Sequence, residues 1–155
     1  MPQEQSDKDL VARMKLIPIL ELIKGHKILF TEDSIVRATQ LLKKIRELFQ
    51  DYHAEEVHMR PSCPPLTYGC DFLNFSQSKS LFDLAARRAI RKIEGKEDFD
   101  LEPYLDEDSQ KYNDMVNVIR MDFGLTSLRY TKINDLVSAI GLPREKLCLG
   151  CWQLK

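Results

Sequence analysis

Glu32 and Asp33 stand side by side directly after the apolar run Ile28–Phe30 and Thr31. Adjacent carboxylates repel each other, and nothing in the folding of a strand asks for them at its end. Ser34, Ile35, Val36, Arg37, Ala38 and Thr39 follow, supplying two hydroxyls, a guanidinium and a run of backbone N–H groups. Such a stretch has the parts to wrap one phosphate, while the two acids accept hydrogen bonds from neighbouring hydroxyls. Together they describe a sugar-phosphate site. On residue chemistry alone a second reading stays open, in which the acids only favour the first turn of a helix and Arg37 is solvated.

Such a site needs a strand to end at the acids and a helix to begin after them. Open α/β sheets bind ligands just outside the carboxyl ends of their strands, and the following helix offers unsatisfied N–H groups and a partial positive charge. The sequence supplies both elements. Lys27–Thr31, after Gly25, is β-branched and apolar enough for a buried strand. Leu41, Leu42, Ile45, Leu48 and Phe49 fall at helical spacing, predicting a helix over Arg37–Asp51. A second strand over Glu56–Met59, ended by Pro61, Pro64 and Pro65, completes a parallel crossover.

Beyond it the pattern turns helical, with amphipathic stretches at Ser80–Glu94 and Asp108–Phe123 separated by an acidic loop containing Pro103. Leu128–Tyr130 reads as a short strand. Ile133–Ile140 reads as a last helix, stopped by Gly141 and Pro143. Before Pro18, Asp7–Met14 has the pattern of a short helix and Met1–Ser6 that of a mobile segment. No internal repeat is present.

A chain of 155 residues, 43% hydrophobic and 30% charged, is long enough to bury the core of one compact domain. The formal net charge of −1 excludes a global field that would recruit nucleic acid or an anionic membrane. Leu16–Ile23, the most apolar stretch, is interrupted by Pro18 and Glu21 and falls far short of the roughly 20 residues of a membrane span. Without a basic segment and apolar core at the amino terminus, a reducing, cytoplasmic location is expected. The basic run Ala86–Lys96 alternates with apolar residues and reads as a solvated helix face or a subunit contact. His26, His53 and His58 lack metal-ligand spacing and read as surface or edge residues.

Four cysteines in a reducing compartment read as thiols or metal ligands. Cys148 and Cys151 form a single CxxC, for which zinc, redox and idle readings are all open. Cys63 reads as a buried thiol.

The order "TEDSIVRATQ" resembles the phosphoribosyl pyrophosphate motif of type I phosphoribosyltransferases, and the flanking segments "MPQEQSDKDLVARMKLIP", "EEVHMRPSCPPLTYGCDF" and "GLTSLRYTKINDLVSAIGLP" narrow the resemblance to the amidophosphoribosyltransferases. Essentially the whole chain is covered. The resemblance implies the carboxyl-terminal half of a type I phosphoribosyltransferase domain over residues 1–76 and a helical region ending in the CxxC over 77–155. It also implies the family reaction, in which ammonia from glutamine replaces the pyrophosphate of phosphoribosyl pyrophosphate to give 5-phosphoribosylamine, the first committed intermediate of purine synthesis. Carried onto this chain, Glu32 and Asp33 would hold the ribose hydroxyls and magnesium, and Ser34, Ile35, Val36, Arg37, Ala38 and Thr39 would cradle the 5-phosphate. Cys70, Cys148 and Cys151 would be ligands of a [4Fe–4S] cluster whose fourth ligand lies elsewhere.

The motif departs from the family in three places. Glu32 replaces an aspartate, Ala38 stands where a glycine is usual, and Lys8 stands for an arginine after the flexible loop. The amino-terminal glutaminase domain and the first half of the transferase domain have no counterpart here, so the expectation is a partial enzyme that does not turn over alone and assembles as a homo-oligomer when complete. The alternative is a non-catalytic sugar-phosphate-binding or metal-binding module that regulates a full enzyme.

Overall fold

The computed structural model describes residues 18–37, 39–70, 72 and 80–153. The helix expected over Asp7–Met14, the mobile amino-terminal segment, Lys8 and Ala38 lie outside them. A short helix α1 (Leu20–Ile23) leads into β1 (Lys27–Glu32), α2 (Thr39–Gln50) and β2 (Glu56–Pro61). Then come α3 (Ala85–Glu94), α4 (Glu102–Leu105), α5 (Gln110–Phe123), β3 (Ser127–Leu128) and α6 (Ile133–Ile140). This is an α/β fold, as the sequence predicts.

The strands form one parallel sheet in the order β1-β2-β3, with Lys27 opposite Glu56, Glu32 opposite Pro61 and Met59 opposite Leu128. Residues alternate between faces along each strand. Ile28, Phe30, Val57, Met59 and Leu128 point into the main apolar cluster, where they meet Ile45 and Leu48 of α2. The same cluster takes in Ala86, Ala89 and Ile90 of α3 and Met115, Ile119 and Phe123 of α5. One core therefore draws on residues from both sides of position 76.

The opposite face of the sheet carries a polar row beside the exposed side chain of Leu29. Lys27 Nζ pairs with Glu56 Oε1 at 2.6 Å, and Glu56 Oε2 meets His58 Nε2 at 2.7 Å. His58 Nδ1 lies 2.8 Å from Ser127 Oγ, which also accepts from Arg60 at 3.1 Å. The row ties the two-residue strand β3 to β2.

Helix ends follow local chemistry. Ser109 Oγ accepts the Tyr112 N–H at 3.0 Å to start α5, and Gly124 ends it at φ 68°, a left-handed conformation that a side chain resists. Two expectations shift. The helix expected over Ser80–Glu94 breaks into a 3-10 turn at Leu81–Asp83 and α3, because Leu84 is extended and fully buried between them. The strand expected at Leu128–Tyr130 moves to Ser127–Leu128, set by pairing with β2 rather than by its own pattern.

Candidate functional site

Glu32 is the last residue of β1, and the loop Asp33–Arg37 carries the chain from that strand end into α2. The backbone leaves the sheet where the Ser62 N–H donates to the Glu32 carbonyl at 2.8 Å. Beyond it the two carboxylates are exposed and are met by nearby N–H groups. Asp33 N–H donates to Glu32 Oε1 at 3.2 Å, and the Ser34 N–H and hydroxyl both reach Asp33 Oδ1. Among the described residues no ion pair engages either acid. Both are thus open to hydroxyl donors or a hard cation.

Ile35 fixes the loop from below. Its side chain is buried in the main cluster, so the polar residues on either side stay at the surface. From behind, α3 holds the loop backbone, with the Ala85 N–H donating to the Val36 carbonyl at 2.9 Å and Arg88 Nη2 to the Arg37 carbonyl at 2.9 Å. The predicted binding run is therefore brought together at one strand end from Glu32 to Arg37. Thr39 begins α2, and Ala38 lies outside the described residues.

The carboxyl-terminal segment docks on the proline-rich loop after β2. The Cys151 carbonyl accepts the N–H groups of Thr67 and Tyr68 at 3.0 and 3.2 Å, and Trp152 Nε1 donates to the Pro64 carbonyl at 3.0 Å. Beneath this contact Cys63 is buried, as its reading as a core thiol expects. Burial pushes the Cys63 thiol up to about 12, and the negative charge of Asp33 and then Cys151 push it the same way. Asp33 and the carboxyl-terminal tail thus act on the same buried thiol.

No family model matches the chain. The amidophosphoribosyltransferase of Methanothermobacter thermautotrophicus is 28% identical over 148 residues, a match that takes in 95% of this chain and 25% of that protein. Among solved structures, the glutamine phosphoribosylpyrophosphate amidotransferase of B. subtilis in complex with ADP and GMP superposes with a TM-score of 0.62. That match has 22% identity and covers 98% of this chain and 28% of that one. The chain is homologous to amidophosphoribosyltransferases. The amidophosphoribosyltransferase of Pyrococcus horikoshii is 43% identical over 65 residues, 42% of this chain and 14% of that protein. The chain spans about a quarter of the length of the amidophosphoribosyltransferases it matches from end to end.

The two cofactors that the amidophosphoribosyltransferase resemblance implies fare differently. Exposed Glu32 and Asp33 suit magnesium, which is commonly held by one or two carboxylates together with substrate phosphates. The cysteines do not fit a preassembled four-iron site. Among the described residues no three His, Cys, Asp or Glu side chains are grouped to hold a metal ion. Cys148 is exposed, Cys70 and Cys151 are half-buried, and Cys63 keeps its proton. Thiolate is the form that binds iron.

Arg91, Lys92 and Lys96 of the basic run are exposed, as a solvated face or subunit contact expects, whereas Arg87 and Arg88 fold inward. Arg87 Nε donates to the Thr67 carbonyl at 2.7 Å, and its guanidinium lies 5.0 Å from the Tyr68 ring centre and 5.9 Å from that of Phe99. Arg88 turns toward the loop after β1. Sequence reasoning missed both, since adjacent arginines on an amphipathic helix give no sign of which carbonyls fold against them.

Proposed function

We propose that this chain is the phosphoribosyl-binding part of an amidophosphoribosyltransferase. Glu32 and Asp33 hold the ribose 2- and 3-hydroxyls of phosphoribosyl pyrophosphate together with its magnesium, and the Ser34–Thr39 loop cradles the 5-phosphate. The observation that carries the reading is the placement, at the carboxyl end of a parallel strand, of two exposed carboxylates that no ion pair engages among the described residues. Directly after them, a loop anchored by buried Ile35 enters a helix.

In the reaction the bond from ribose C1 to pyrophosphate breaks and a bond to ammonia nitrogen forms. The chain supplies no nucleophile for this step, and its contribution is positional. Holding the hydroxyls and the 5-phosphate fixes C1 relative to the incoming ammonia. Magnesium, when bound, neutralises charge on the departing pyrophosphate. Supply of ammonia from glutamine belongs to other parts of the amidophosphoribosyltransferase reaction, so this chain acts within a larger assembly, a homo-oligomer when complete.

The test is calorimetric titration of the chain with phosphoribosyl pyrophosphate in magnesium. Binding that Asp33→Asn abolishes supports the proposal, and an Asp33→Asn chain that binds as well as the parent refutes it.

A further inference from the structure

We infer that Arg88 is a positioning residue for the phosphate loop, acting through backbone carbonyls from the helix behind it. The inference rests on the proposed role of Ser34–Thr39. Arg88 is half-buried on α3, and its guanidinium forks between two carbonyls, that of Asp83 through Nη1 and that of Arg37 through Nη2 at 2.9 Å. The Arg88 N–H itself bonds to the Leu84 carbonyl at 3.0 Å, so the side chain springs from the first turn of a helix whose Leu84 and Ala85 are buried. Its base is rigid.

Peptide geometry turns this contact into control of the loop. The Val36 carbonyl is held against α3 by the Ala85 N–H at 2.9 Å. No peptide bond described is cis, and in a planar trans peptide the C=O and N–H point in opposite directions. The Arg37 N–H therefore faces away from α3. Fixing the next carbonyl, that of Arg37, with a charged donor holds the plane of the following peptide in the same way. Two consecutive carbonyls, those of Val36 and Arg37, are drawn to α3, and this leaves the Arg37 N–H on the other side, where an anion needs a donor. An acceptor on α3 in place of Arg88 would let these peptides rotate and bring a carbonyl to face the phosphate.

The arrangement explains why two arginines lie in sequence on α3. Arg87 holds the Thr67 carbonyl and Arg88 the Arg37 carbonyl, so one helix turn sets the position of two loops. A lysine at 88 keeps the charge but reaches only one of the two carbonyls.

The experiment compares the parent chain with Arg88→Ala, Arg88→Lys and, as a control on the same helix, Arg91→Ala, whose partner is Glu97 at 3.0 Å. The probe is ribose 5-phosphate with magnesium, read by calorimetry. Amide hydrogen exchange at Ala85, whose N–H donates to the Val36 carbonyl of the loop, is followed in the absence of any ligand. Arg88→Ala is expected to weaken binding about tenfold, the loss typical of one charge-assisted hydrogen bond, with faster exchange at Ala85, whose N–H bonds to the neighbouring Val36 carbonyl, and unchanged exchange in α5. Arg88→Lys should fall between, which a purely long-range charge effect would not produce, and Arg91→Ala should match the parent. Parent-like exchange at Ala85 in Arg88→Ala, or undiminished binding, overturns the inference. If the parent binds no ribose 5-phosphate, the proposed function of the loop fails, and the exchange data alone decide whether Arg88 anchors it.

Discussion

The Cys151 carbonyl accepts the Thr67 N–H at 3.0 Å and the Thr67 hydroxyl at 3.2 Å, joining residues 84 apart in the chain. Thr67 is the one polar residue among those described that is buried outright. A buried hydroxyl without a partner is costly, so this contact both satisfies Thr67 and fastens the tail beside Cys63. Thr67→Val removes the hydroxyl donor at nearly constant volume. It should cost about 1 kcal/mol in urea unfolding and speed the reaction of Cys151 with a thiol reagent, leaving the N–H contacts in place. Unchanged stability and unchanged Cys151 reactivity would show that the tail is held by other means.

Alkaline pH should unfold the protein partly through Cys63. Its folded pKa is raised from 9.0 to about 12. Below 9 both states carry the proton and nothing is lost. As pH climbs from 9 toward 12 the unfolded chain sheds a proton that the folded chain keeps, so stability falls. Tyr104, Tyr112 and Tyr130, raised chiefly by burial, act in the same direction at higher pH. Thermal melts from pH 8 to 11 should therefore decline less steeply in Cys63→Ala than in the parent, after normalising at pH 8. Parallel slopes would contradict a protonated, buried Cys63.

Acid acts through the polar face of the sheet. The Lys27 hydrogen bond holds Glu56 below the ordinary carboxylate range, outweighing the opposing effect of burial, and a hydrogen bond from His58 adds a lesser contribution in the same direction as Lys27. A carboxylate with a depressed folded pKa lends stability that is present above its unfolded value, 4.5 here, and is lost as pH falls through the folded value. Glu56→Gln should lower the melting temperature at pH 7, and the gap to the parent should close as the pH drops below 4.5. A gap that persists in acid would mean that Glu56 acts by packing rather than charge.

Iron–sulfur reconstitution under anaerobic conditions should leave little stable iron on the isolated chain. Among the described residues no three ligand-type side chains are grouped to hold a metal ion, and the best-buried cysteine keeps its proton well above neutral pH. A tight four-iron spectrum from this chain alone would contradict the geometry of the carboxyl-terminal segment.

Much of this was legible before any coordinates. The apolar, β-branched content of β1, the apolar spacing of α2 and the stop residues Gly141 and Pro143 after α6 are local signals, and each of these elements formed within a few positions of where its own residues place it. The loop after β1 was legible too, because strand, acids, hydroxyls and helix follow one another directly. What the sequence hid was nonlocal. Leu84 breaks a helix that its neighbours favour because its own side chain is buried with the backbone extended, and β3 takes its register from Val57 and Met59 through bonds to Thr126 and Arg129. Arg88 and Thr67 matter through partners 51 and 84 residues away, which no periodicity records.

The central claim is that the loop after β1 is where phosphoribosyl pyrophosphate binds. Nitrogen–proton correlation spectra of the chain, recorded while phosphoribosyl pyrophosphate is added in magnesium, test it residue by residue. The account predicts saturable shifts concentrated in the amides of Asp33, Ser34, Ile35, Val36 and Arg37, absent in Asp33→Asn. Shifts centred elsewhere, or a spectrum that does not respond, would contradict it.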